Sequence, residues 1–280
     1  MPNCPLRKLI ALICLACLPW AVRASVAAPQ RIASLNLCTD QLLLMLVPRA
    51  RIASVTDWAA RPESSYMAAA AQGIPTNHGS IETVLTQHPD LILASEYTDA
   101  ALLLALKRLG YRVEIMAVPK TLAQTRGYIL HVGDLVGART EAQRLVDNMS
   151  RRLLEIDNLV ESSSGAELAA VYAPNGMTVG RGAVLAEIIE RAGWRNLGDT
   201  LPIRGYGPIS LEQLLVAQPR LLVLDVTVAG NDNSIANGYL AHPALSALKQ
   251  RARTVVVPPT LSECVGPNTI DAIELLAAQR

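Results

Sequence analysis

The sequence predicts an α/β protein of two Rossmann-like lobes with mainly parallel sheets, joined by a single long α-helix. Three observations lead there. Short apolar runs alternate with helical stretches in both halves of the chain. A strand-free segment with helical periodicity separates the halves, and one 14-residue pattern occurs in each of them without a gap. Strands that read as continuous apolar runs between helices belong to parallel sheets covered on both faces.

In the first half, Arg31–Leu35 reads as a strand and Thr39–Val47 as a helix. Arg51–Val55, Asp90–Ala94 and Arg112–Met116 continue the strand series, and Ala100–Leu109 is a helix stopped at Gly110, a residue suited to the left-handed stop position. From Thr121 to Glu161 no strand run occurs. Gly137 divides two helical stretches, 122–136 and 140–160. In the second, Ala142, Leu145, Val146, Met149, Leu153, Ile156 and Val160 form one apolar stripe at three- and four-residue steps. Ser162–Gly165 marks a boundary, after which the alternation resumes. Leu168–Tyr172, Leu221–Asp225 and Thr254–Val257 read as strands, and 183–192, 242–251 and 269–278 as helices. The expected organisation is a signal peptide over 1–24, an N-terminal lobe over 25–120, a connecting helical segment over 121–163 and a C-terminal lobe over 164–280.

The repeat pairs Ser80–Leu93 with Ser210–Val223, 130 residues apart. Ser, Glu, Leu, Pro and Leu coincide in both copies. Each copy reads as a capped short helix, a proline break and a buried strand. Ser80 and Ser210 suit the N-cap, while Glu82 and Glu212 meet the positive end of the helix dipole. Pro89 and Pro219 end the helix before the strand. Equivalent segments in equivalent places argue for lobes of one plan.

At the start of the chain, Arg7 and Lys8, the apolar run Leu9–Trp20 and the small residues before Ser25 form a secretory signal. Its apolar run falls short of the ~20 residues of a membrane span, and no later segment is long enough either. A lipid anchor at Cys17 is the competing reading; Cys14 stands where that motif wants a branched aliphatic. Removing the signal takes Arg7, Lys8 and Arg23 and no acid, so 25 basic and 24 acidic residues become 22 and 24. A near-neutral chain without a basic run has no electrostatic footprint for nucleic acid. Of five cysteines, Cys38 and Cys264 remain, either as a disulfide or as two free thiols.

Ligands of open parallel sheets sit outside the carboxyl ends of the strands, and two facing sheets make a cleft. The candidate ligand-binding residues are therefore Asn36, Cys38, Trp58, His78 and Tyr97 in the first lobe, with Asn175, Arg204, Tyr206 and Cys264 in the second. Tyr97 and Tyr206 occupy loops of opposite lobes, whereas Trp58 serves equally well as a loop anchor. Arg61 and Arg181 join Arg204 as guanidiniums able to meet an anionic chelate. Trp194 and Tyr111 read as core. His88 and His242 precede prolines at helix boundaries, and of the four histidines only His78 is placed near the cleft. A bare transition metal would need a cluster, so no metal site and no resident cofactor are expected. Catalysis is not expected: Cys264 has no histidine in its stretch to act as base, and the loop after the first strand lacks phosphate-binding glycines. A secreted enzyme using Cys264 is the rival of another class.

With its Arg-Ile-Ala-Ser-Leu start, its Ser-Ile-Glu…His-Pro-Asp-Leu-Ile segment, its mid-chain helix and its second Glu…Pro copy, the chain resembles the cobalamin and iron–siderophore class of periplasmic binding proteins. The resemblance spans Arg31 to Arg280 and implies the class III architecture, in which one rigid helix joins the lobes. It implies a periplasmic monomer that captures a siderophore, corrinoid or haem chelate for an ABC permease dimer and its ATPase subunits. It further implies that Glu82 and Glu212 dock on arginines of the permease. Haem would want an axial Tyr or His, for which Tyr97 or Tyr206 could serve.

Overall fold

A computed structural model describes residues 27–162, 165–225 and 242–280. The expected signal peptide, its cleavage site, Cys17 and part of the Ser162–Gly165 boundary lie outside the described residues. Within them, the chain runs β1 (Ile32–Ser34), α1 (Leu37–Leu46), β2 (Ile52–Ser54), α2 (Ala68–Ala71), α3 (Ile81–Leu85), β3 (Leu91–Ser95), α4 (Ala100–Arg108) and β4 (Val113–Met116). Two longer helices follow, α5 (Leu122–Val136) and α6 (Arg139–Glu161). The second half runs β5 (Leu168–Tyr172), β6 (Met177–Val179), α7 (Val184–Arg191), β7 (Arg195–Asn196), β8 (Tyr206–Pro208), α8 (Leu211–Ala217) and β9 (Leu221–Asp225). After the undescribed stretch come α9 (Pro243–Lys249), β10 (Arg253–Val257), α10 (Pro259–Ser262) and α11 (Pro267–Ala277).

The first sheet has the order β2-β1-β3-β4 and the second β7-β5-β9-β10, every neighbouring pair parallel. Taken in chain order within each lobe, these are the same arrangement. The repeat is carried down to the backbone. Ser80 and Ser210 cap α3 and α8 by accepting from the backbone N–H of Thr83 and Gln213. His88 and Gln218, at matching positions, both adopt left-handed backbone (φ 45° and 47°) just before the prolines.

Successive strand residues point to opposite faces, and the two faces have different fates here. Ile32, Leu91 and Leu93 of the first sheet and Ala169, Val171 and Val223 of the second belong to one continuous apolar cluster. It is filled by α1, α5, α6, α7 and α11, with Ile129, Val146, Ile188 and Ile273 among its members. The opposite faces stay separate. Ala33, Ile92 and Leu106 form a small cluster in the first lobe, and Ala170, Tyr172, Leu222 and Leu245 another in the second. The lobes therefore share a core along one side and part on the other.

The connecting helix α6 has 23 residues, about 34 Å at 1.5 Å per residue. It packs against α5, whose end is set by Gly137 in the left-handed conformation (φ 66°). Arg152 of α6 donates to Asp271 (2.6 Å) and Glu274 (2.6 and 2.8 Å) on α11. The antiparallel pair β6–β8, which closes across α7 and β7, has no counterpart among the expected strands. Its strands are three residues each, and Gly207 and Pro208 read as turn residues. No helix of the described residues is long and apolar enough to cross a membrane.

Candidate functional site

The loops after β1 and β2 meet the segment that follows β10, through Cys38 with Cys264 and Tyr66 with Asp271. On the N-terminal side these loops are anchored by buried polar groups. Asn77 is fully buried; its amide donates to the Ser34 carbonyl (2.6 Å) and the Ser54 hydroxyl (3.2 Å), while its side-chain oxygen accepts from Gly79 N–H (3.1 Å). It thus ties the ends of β1 and β2 to the turn that carries His78. Asn36 accepts from Cys38 N–H (2.9 Å) and donates to Ser95 Oγ (3.3 Å), capping α1 and holding it to the end of β3. Its side chain is structurally engaged.

Asp40, in the first turn of α1, is completely buried. One carboxylate oxygen accepts from the N–H (3.2 Å) and the hydroxyl of Thr56, beyond β2; the other has no partner, and neither has the buried Tyr128 hydroxyl. Burial pushes the Asp40 carboxyl up to about 7, opposed by the nearby Ser34 hydroxyl and the bonds from Thr56. Burial, with the field of Asp40, also raises the Tyr128 phenol.

Aromatic groups stand exposed around this frame. Trp58, in a single 3₁₀ turn over Asp57–Ala60, is 49% exposed; the Arg61 guanidinium lies 4.2 Å from its ring centroid and pairs with Asp57. Arg61 is thus a covered, neutralised cation. Tyr97, after β3, is 68% exposed. His78 adopts left-handed backbone (φ 47°), with Nε2 3.3 Å from Thr76 Oγ1. Beside this rim, Glu96, Lys120, Gln124 and His131 line a surface cavity of about 560 Å³ between the end of β4 and α5.

On the C-terminal side, Asn175 occupies a left-handed position (φ 60°) in the turn between β5 and β6. Arg204 and Tyr206 lie at one end of the β6–β8 strand pair, with Arg204 bridged to Arg181 along the backbone. Residues 226–241, after β9, lie outside the described residues. Trp194 is buried, with its indole N–H donated to the Leu276 carbonyl (3.0 Å), and Tyr111 packs on the small N-terminal cluster. Both read from sequence as core, and both are packed there. His242 caps α9 by accepting the Ala244 N–H on Nδ1.

Several contacts cross between the lobes. Cys38, in the first turn of α1, and Cys264, ahead of α11, are disulfide-bonded with their Cα atoms 5.3 Å apart. This corrects the two readings that need a free thiol there. Cys264 is no nucleophile in this state, because its sulfur is in the cystine, and neither cysteine offers a thiol to a ligand. The Tyr66 hydroxyl donates to Asp271 (2.7 Å), which pushes its phenol up to about 12. At the other side, Leu122 N–H donates to Glu187 (3.1 Å) of α7. Sequence reading had no signal for Tyr66, since its partner lies 205 residues away. Among the described residues, no group of three or more His, Cys, Asp or Glu is placed to hold a metal ion.

Glu82 and Glu212 are both exposed on the first turns of α3 and α8. The Glu212 backbone N–H and the Ser210 hydroxyl hold its carboxyl below the usual carboxylate range. The residues from Glu82 to Asp90 and from Glu212 to Arg220 follow nearly the same sequence of exposed and buried positions.

Several solved structures share this fold. A periplasmic haem-binding protein from Pseudomonas aeruginosa matches with a TM-score of 0.71 at 24% identity, over 89% of this chain and 92% of that one. The apo haem-binding protein of Roseiflexus sp. RS-1 gives 0.74 at 21%, over 89% and 97%. The vitamin B12 binding protein of Vibrio cholerae gives 0.64 at 21%, over 90% and 96%. No curated protein matches the sequence. The family model described as periplasmic binding protein matches residues 32–254, most of the chain, and with the two like sheets and the helix between them it establishes that this chain belongs to the periplasmic binding protein family.

Proposed function

We propose that this chain is the solute-capturing component of an ABC importer, exported through a cleaved leader over 1–24. It holds a metal chelate between the lobes as a monomer and delivers it to a permease dimer with its ATPase subunits. The observation that carries this reading is the structural repeat. It puts one carboxylate on each lobe, Glu82 and Glu212, at matched exposed positions on the same helix turn. A single first-turn glutamate is explained by the helix dipole. A matched pair on two lobes suits a partner that is itself a dimer, read once by each lobe.

The exposed rings of Trp58, Tyr97 and Tyr206 support an apolar, aromatic ligand surface. Chelates named for structures of this fold are haem, vitamin B12 and Fe3+-hydroxamate. Haem, a second reading within the same class, is favoured by the exposure of Tyr97 and Tyr206, either able to supply an axial oxygen. A thermal-shift screen of the mature chain with cyanocobalamin, ferrichrome, ferric citrate and haemin tests capture, because a ligand bound only by the folded state raises the melting temperature. No shift with any of them would sink it. Reversing both charges, Glu82→Lys with Glu212→Lys, should abolish uptake in cells while leaving chelate affinity unchanged. Undiminished uptake refutes the docking role.

A further inference from the structure

We propose that Arg181 and Arg204, set side by side by the backbone, form a clamp for a pair of carboxylates, so that the cleft selects an anionic, carboxylate-bearing chelate over a neutral one. This rests on the capture function proposed above and names its ligand chemistry.

The clamp is built by the β6–β8 strand pair, which the expected strands did not include. β6 lies in the loop after β5, and β8 in the loop after β7, so both sit at the carboxyl end of the second sheet. Val179 pairs with Tyr206 in the antiparallel ladder, and beyond it Arg181 and Arg204 form a separate parallel bridge that sets them side by side. Gly180 N–H donates to the Gly205 carbonyl (2.8 Å) and Gly205 N–H to the Arg181 carbonyl (3.0 Å). Adjacent strands lie about 4.8 Å apart, a separation that carries two guanidiniums within reach of one ligand.

The platform is rigid. A Cβ on Gly180 would stand 2.3 Å from the Ile203 carbonyl oxygen, and one on Gly198 would stand 1.8 Å from that of Val179. The backbones are packed closer than any side chain permits. Buried Asn196 locks the same point by donating to the Val179 carbonyl (2.9 Å). It is the backbone under the two arginines that is fixed; their side chains still lose rotamer freedom when a ligand arrives.

Both arginines are exposed, and among the described residues no carboxylate lies within ion-pair distance of either. By contrast, Arg61, Arg152 and Arg191 each have an acid. Burial and the neighbouring Asp199 push the Glu190 carboxyl above the usual carboxylate range. Two like charges side by side repel, and a bidentate anion relieves that repulsion while using the planar donors of both groups. Tyr206, 59% exposed in the adjoining strand, offers a ring beside the anion site.

Carboxylates in this chemistry come from two sources, the propionates of haem or the acids of a ferric carboxylate chelate. Isothermal titration of the wild type and of Arg181→Gln with Arg204→Gln against haemin, ferric citrate, ferrichrome and cyanocobalamin separates them. Wild type should bind haemin or ferric citrate most tightly, with affinity falling as salt rises. The double variant, melting at the wild-type temperature, should lose about 10- to 100-fold on that ligand and be unchanged towards the neutral chelates. Tight binding of ferrichrome or cyanocobalamin, equal in both proteins, overturns the clamp and leaves capture standing. Carboxylate chelates bound equally by both proteins overturn it too. Binding of none of the four overturns capture together with the clamp.

Discussion

Replacing the interlobe cystine by Cys38→Ala with Cys264→Ala should lower stability by an amount that the chain geometry sets. The bond closes a loop with a sequence separation of 226 residues. In the chain-entropy treatment such a loop restricts the unfolded chain by about 5 kcal/mol at 25 °C. Both alanines are needed, because a single change leaves a lone thiol free to pair between molecules. For a chain of this size that loss corresponds to roughly 10–20 °C in melting temperature. The assay is thermal denaturation followed by circular dichroism on the oxidised wild type, the double variant and dithiothreitol-reduced wild type. The variant and the reduced protein should melt together, well below the oxidised protein. Intact mass with and without reductant should differ by two hydrogens, and alkylation of the native protein should label neither cysteine. If all three melt within about 2 °C of one another, or if two thiols label without reductant, the reasoning fails at its first step.

Three further outcomes follow from buried and close-packed groups. The folded Asp40 carboxyl is raised from 3.8 to about 7 by burial, so the unfolded chain ionises first as pH rises. Stability should therefore fall between about pH 4 and 7, by up to about 4 kcal/mol, and level off above. Asp40→Asn, which keeps an acceptor for Thr56, should flatten that slope in urea midpoints measured at pH 5 and 8; an unchanged slope would remove Asp40 as its source. Tyr66→Phe deletes one partly exposed interlobe hydrogen bond and should cost about 1 kcal/mol, read as a shift in urea midpoint, with Asp271 still held by Arg152. A loss of several kcal/mol would show that this contact holds the lobes together. Gly198→Ala places a methyl against the Val179 carbonyl and should cost about 3 kcal/mol. A neutral effect would mean that the backbone under the β6–β8 pair yields.

How much of this was legible in the sequence depended on the range of the interaction. The helix over 139–161 announced itself through Ala142, Val146, Met149 and Ile156, because one turn of helix brings such residues onto one face. The capped repeat was legible for the same reason: a serine, an acid two places on and a proline act on neighbouring backbone groups. Trp194 was readable as core from its place after a helix stop. The β6–β8 pair was not, since Met-Thr-Val and Tyr-Gly-Pro are too short to show a period and pair across 26 intervening residues. The candidate site divided along the same line. Arg204 and Tyr206 were visible as loop residues, but the bridge to Arg181 exists only once those strands pair.

The sequence by itself determined that there are two βα units of one plan, where the helix between them lies, and which carboxylates repeat. All of these are written in patterns a few residues long. Tertiary structure alone decided that Cys38 reaches Cys264, that Tyr66 reaches Asp271, and that α1, α5, α6, α7 and α11 fill one core common to both lobes. Those pairings join residues far apart along the chain. Their free energy comes from burying surfaces that meet only after both lobes have folded, and no local pattern records that meeting.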